Sequence, residues 1–126
     1  LAMDNVATSI YIPVFCGAND MPQSYKADGR VTGFSQESAW WAFNRLGTLA
    51  AQRWGDMRRD VDSVWKPIQQ EIFLNTQEIE KNLQTVTSPA ERKSLLTENT
   101  IKWGNEVVKR AWKLGDFLWT KYDEKF

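Results

Sequence analysis

The sequence contains no histidine and a single cysteine, Cys16. The first absence removes every serine–histidine and cysteine–histidine nucleophile pair. The second removes an internal disulfide, and together they argue against a structural zinc site. Charge of one sign is lacking too. Sixteen basic residues balance sixteen acidic ones, which argues against an electrostatic footprint for nucleic acid or for an anionic membrane. Long hydrophobic runs are missing: the longest apolar stretch, Ile10 to Ala18, is too short to cross a bilayer, and Pro13 and Gly17 interrupt it. What is abundant is tryptophan, seven in 126 residues, in a chain long enough for one domain with its own core.

The run Thr8-Ser9-Ile10-Tyr11-Ile12-Pro13-Val14-Phe15-Cys16 alternates, with Ile10, Ile12, Val14 and Cys16 on one side. That period, with its β-branched and aromatic content, predicts a strand near residues 8–16. Pro13 has no amide donor, so the strand is expected at a sheet edge. No second strand of this quality follows, yet backbone donors and acceptors need partners. The chain opens Leu1-Ala2-Met3-Asp4, with neither an initiator methionine nor a basic signal head. Either the strand pairs with another copy or its sheet lies upstream; the expectation is the second, that this is the tail of a larger protein.

Gly17, Asn19-Asp20, Pro22, Asp28-Gly29 and Gly33 punctuate residues 17–34, which read as a long connection pinned to the body by Tyr25 and Phe34. The period then becomes helical. Ser35 is an N-cap candidate with Glu37 in the first turn, followed by Trp40, Trp41, Phe43, Leu46, Leu49 and Ala50, with a break or bend expected at Gly55. Trp54, Met57, Val61, Trp65, Ile68, Ile72, Thr76, Ile79, Leu83 and Val86 recur every three or four residues, a single helical stripe running across Pro67. Ser88-Pro89-Ala90-Glu91 is a capping box with proline at the first helical position. It opens a helix with one stripe through Leu96, Thr100, Trp103, Val107, Ala111, Leu114 and Leu118, and a second through Ile101, Val108, Trp112 and Trp119. Helices are therefore expected at 35–53, 56–85 and 88–122, the last two as an antiparallel hairpin because their connection is short. The fold class is mainly α: one N-terminal edge strand and three long helices, divided into residues 1–34 (strand and connection) and 35–126 (helical).

Few residues carry chemistry. Asp56, Asp60 and Asp62 lie beside Arg53, Arg58 and Arg59, and Asp56 and Asp60 share a helix face. Two carboxylates there could serve acid–base work or a metal; interleaved opposite charges read first as a solvated face. Cys16 could be a nucleophile, but no base is in view, and at the end of an apolar strand it reads as a buried structural thiol. The tryptophans could line a carbohydrate or base-stacking surface; five of them sit on the helical stripes and read as core or interface. Lys102, Lys109, Arg110, Lys113, Lys121 and Lys125 make the last helix locally basic, offset by Glu106, Asp116, Asp123 and Glu124.

Residue by residue, the first half resembles a family. Thr8-Ser9-Ile10-Tyr11-Ile12-Pro13-Val14, then Gly17, then Pro22-Gln23-Ser24-Tyr25, and above all Phe34-Ser35-Gln36-Glu37-Ser38-Ala39-Trp40-Trp41-Ala42-Phe43-Asn44 look like the C-terminal third of the bacterial cysteine dipeptidases. These are relatives of secernin among the N-terminal-nucleophile hydrolases. The resemblance covers roughly residues 6–65 and is most specific in the Ser-Ala-Trp-Trp-Ala-Phe-Asn string.

The resemblance implies a hydrolase that cleaves dipeptides, folded as a four-layer αββα sandwich of which this chain is a part. In such enzymes a cysteine exposed at the mature N-terminus attacks the carbonyl, with its own α-amine as base. That chemistry needs neither histidine nor metal, so no cofactor is expected. Cys16 is internal and followed by glycine, so the nucleophile's role does not transfer to it, and no catalytic, cofactor-binding or metal-binding residue is assigned here. This chain alone is expected to be inactive. Its expected partners are dipeptide substrates in the whole enzyme, the upstream part of the same protein and a second copy, with neither nucleic acid nor membrane among them. The alternative is a stand-alone helical interaction module that binds a partner through its Trp-rich stripes.

Overall fold

The computed structural model describes residues 1–27 and 29–126; Asp28, one of the expected turn formers, lies outside them. A short 3-10 turn spans Val6–Thr8. Two single-turn helices follow, α1 (Gln23–Lys26) and α2 (Gly29–Thr32), and then three long ones, α3 (Ala39–Gln52), α4 (Trp54–Leu83) and α5 (Pro89–Tyr122). The 17–34 connection therefore contains two helical turns, and Tyr25 is pinned against the core as expected.

The helix ends follow local chemistry. Ser88 Oγ accepts from the Glu91 amide at 3.4 Å with Pro89 at the first position, as the capping box predicts. α3 starts later than expected. Its N-cap is Ser38, whose hydroxyl accepts from Trp41 N at 3.3 Å, whereas Ser35 Oγ accepts from Glu37 N in a turn before the helix. The break between α3 and α4 falls at Arg53 (φ −144°, ψ 58°), with Gly55 already inside α4. The amides of Asp56 and Met57 both donate to Arg53 O, so a new helix begins from that carbonyl.

α4 and α5 form the expected antiparallel hairpin. Arg92 donates to Leu83 O at the closed end, Trp103 Nε1 to Asn75 Oδ1 midway, and Tyr122 Oη to Asp60 Oδ2 at the open end. Trp65, Ile68 and Ile72 are buried on α4, and Trp103, Val107, Ala111 and Leu114 on α5; Ile79 is only half-buried near the hairpin tip. α3 packs against both helices and most extensively against α5, burying Ala39, Ala42, Phe43, Leu46 and Ala50. One apolar core joins the three helices to Ile10 and Ile12. Complete burial of side chains of this size contributes about 1.5–3 kcal/mol each.

The expected edge strand is absent: no strand occurs among the described residues. Residues 9–14 are extended, and the alternation is real as far as Ile12, with Ile10 and Ile12 buried and Tyr11 exposed. What the segment lacks is a ladder, because helix side chains take its backbone groups instead. Gln69 accepts from Tyr11 N (2.9 Å) and donates to Tyr11 O (3.0 Å). Trp65 Nε1 donates to Thr8 O and Thr100 Oγ1 to Pro13 O. Leu1 and Ile12 exchange two bonds, a short pairing of chain with chain. Beyond Ile12 the chain leaves the core. Val14 is exposed, Ala18 N turns back onto Phe15 O, and Cys16 is an exposed free thiol, not the buried one expected.

Candidate functional site

The three aspartates do not converge. Asp62 faces Lys66, and Asp56 accepts from Arg53 at 2.9 Å. Asp60 accepts from Lys121 Nζ at 2.7 Å and from Tyr122 Oη at 2.5 Å. Partial burial pushes the Asp60 carboxyl up, but the bonds from Lys121 and Tyr122 outweigh it and hold the group below its ordinary range. The bond to Asp60 in turn pushes both the Lys121 ammonium and the Tyr122 phenol up. Each of the three carboxylates already has a cation, and the bonds to Asp60 form a clasp between α4 and α5. Among the described residues no group of three or more His, Cys, Asp or Glu side chains could hold a metal ion. No helix there is long and apolar enough to cross a membrane.

Cys16 has no bonded partner among the described residues and lies outside the hollows described here. A nucleophile needs an adjacent base within hydrogen-bond reach, and Cys16 has none there.

The feature that draws most sequence signal together is aromatic. The Trp40–Trp41 pair of α3 meets edge to face at 4.8 Å, and Phe34 packs edge-on against both Trp41 (5.5 Å) and Trp112 of α5 (5.9 Å). Trp41 Nε1 donates to Gly29 O, and Gly29 presses against Trp40 so closely that a Cβ would lie 2.7 Å from Cε3. Glycine is required there by the close approach. Arg45, one turn along from Trp41, stacks over Trp112 at 5.3 Å, donates to Trp112 O and pairs with Asp116 at 2.8 Å. It lies flat on Gly115, where a Cβ would meet Nη1 at 2.6 Å. The Trp112 indole N–H is buried and has no acceptor among the described residues.

Phe34, Gln36, Arg45, Lys109, Trp112 and Lys113 surround a hollow of about 520 Å³ at this cluster. Phe34 forms its exposed lip, and Asp116 closes one side through Arg45. A second hollow, about 350 Å³, opens where Tyr11, Ile12 and Pro13 lie against Ile72 and Phe73 of α4. Both border on residues singled out in the sequence. The α5 side of the first hollow was missed, because the basic residues there looked offset by acidic neighbours, and only folding shows that Glu106 pairs with Arg110 and Asp116 with Arg45.

The model of peptidase family C69 matches residues 1–67, and the chain belongs to that family. The match spans every motif on which the resemblance to cysteine dipeptidases rests, so the family is one of peptidases and that expectation is borne out. No curated protein and no solved structure matches the chain.

Proposed function

We propose that this chain is the C-terminal part of a cysteine dipeptidase, whose nucleophile, an N-terminal cysteine activated by its own α-amine, lies outside it. The observation that carries the reading is the family match over residues 1–67 together with an exposed Cys16 that has no base beside it among the described residues. In the whole enzyme the nucleophile attacks the dipeptide carbonyl, the amine takes the thiol proton and returns it to the leaving amine, and water releases the acyl group. The chain contributes no reacting group. It supplies a helical wall, with the 17–34 connection and the aromatic cluster the parts nearest to substrate, and its helices form one layer of the four-layer sandwich.

The extended 9–14 segment supports this role: its Tyr11 and Phe73 of α4 are exposed apolar side chains that line one hollow. That surface receives the upstream part of the protein. A second copy docks through Trp119, which stacks on Phe126 at 5.1 Å and is also exposed. The test of the assignment is covalent labelling of the whole enzyme with a dipeptide-derived electrophile, followed by peptide mapping. The label is expected on an upstream N-terminal cysteine; a label on Cys16 that tracks loss of activity overturns the assignment.

A further inference from the structure

We propose that the hollow between Phe34 and α5 binds the C-terminal residue of a peptide, taking its carboxylate on Lys109 and Lys113 and a large apolar or aromatic side chain against Phe34 and Trp112. The choice of ligand rests on the peptide-hydrolase reading; the chemistry of the hollow does not.

The charge of the hollow is asymmetric. Its one carboxylate, Asp116, is committed to Arg45. Lys109 and Lys113 stand one turn apart on α5, and neither has a carboxylate partner among the described residues. An anion entering here meets two uncommitted ammonium groups and the edge of a fixed guanidinium. The Arg45 side chain is only 28% exposed, stacked on Trp112 and seated on Gly115, so its position is set before any ligand arrives.

The apolar half is equally definite. Phe34 is 61% exposed yet held edge-on by two tryptophans, which leaves a fixed aromatic face open to solvent. A hollow of about 520 Å³ accommodates one residue with a ring, not an extended polymer. Cations beside an aromatic lip suit a ligand that carries both an apolar group and a carboxylate on neighbouring atoms, which is what the last residue of a peptide presents. A free inorganic anion uses only the first half of this chemistry.

The test is titration of this chain with N-acetylphenylalanine, its amide, N-acetylglycine and inorganic phosphate, followed by NMR at the Trp112 indole and the Lys109 and Lys113 amides. Removing the carboxylate or the ring is expected to weaken binding about tenfold or more, the loss of a charge-assisted contact or a buried ring. The Lys109→Gln/Lys113→Gln variant is expected to lose the preference for acid over amide and keep the preference for phenyl over glycyl. Phe34→Ala is expected to do the reverse. Lys109 and Lys113 are exposed, so the double variant folds and the comparison holds. Equal binding of acid and amide, or phosphate binding as tightly as N-acetylphenylalanine, overturns the proposal. Because the readout is binding and not hydrolysis, a positive result survives failure of the dipeptidase assignment, and a negative one leaves that assignment standing.

Discussion

Pro22 is seated on Gly104. The ring lies so close to the glycine Cα that a Cβ there would overlap its Cγ, and Pro22 is among the most completely buried side chains of the chain. Pro22 belongs to the stretch that matches the peptidase family, and Gly104 to α5, well beyond the match. α5 is thus an integral wall of the matched half, fitted to it at a rigid contact.

Replacing Gly104 with Ala therefore forces the proline ring or the helix to move and is expected to destabilise the chain by about 1–3 kcal/mol. Gly55, inside α4 with open space around its Cα, is the control. Gly55→Ala is expected to stabilise by about 0.5–1 kcal/mol through helix propensity. Urea denaturation of both variants checks the pair, and equal shifts of the two would refute the contact argument.

The extended segment is held by two side chains of α4 at different depths. Trp65 Nε1 reaches Thr8 O in the buried interior, while Gln69 grips Tyr11 in the open. Trp65→Phe strands a buried carbonyl and is expected to cost about 1–3 kcal/mol, whereas water replaces the amide in Gln69→Ala at about 1 kcal/mol. Amide exchange separates them. Gln69→Ala should speed exchange at Tyr11 alone, and Trp65→Phe across the whole segment.

The Asp60 clasp predicts the shape of the pH profile. A carboxyl held below its ordinary 3.8 contributes stability above that value and loses it as pH falls through the folded-state pKa. The phenol and ammonium are pushed up, so their share is present below their ordinary 10.0 and 10.5 and disappears as pH rises through the folded-state values. Asp60→Asn should thus be less stable than the parent at neutral pH, with the gap narrowing below about 3.8 and again above about 10. Denaturation midpoints of the two proteins across pH check this, and a gap that widens in acid would contradict it.

Cys16, being exposed, should tolerate replacement. Cys16→Ala is expected to change stability by less than about 0.5 kcal/mol. The native thiol should react with iodoacetamide without unfolding, and a thiol protected until denaturant is added would count against its placement.

The helices were legible because their signals are local and redundant. The stripe from Met57 to Ile72 and the box at Ser88 each report on neighbours within a few residues. The start of α3 was not legible, since Ser35 and Ser38 carry the same hydroxyl three residues apart, and only tertiary packing of Ala39 and Ala42 decides which one caps. The strand shows a different limit. Alternation records which side chains of residues 8–12 face the core, and it did so correctly at Ile10 and Ile12, but it says nothing about who takes the backbone bonds. Here Gln69, Trp65 and Thr100 take them, all more than fifty residues away. At the aromatic cluster the Trp40–Trp41 pair was conspicuous, while Arg45 and Gly115 were not, because their pairing spans two helices.

The most direct measurement is dipeptide turnover by the whole enzyme carrying Cys16→Ala, alongside this chain assayed alone. The account predicts a chemical step nearly unchanged in the variant and no hydrolysis by the isolated chain. A well-folded but inactive Cys16→Ala enzyme, or dipeptide cleavage by this chain on its own, would contradict it and return the nucleophile to Cys16.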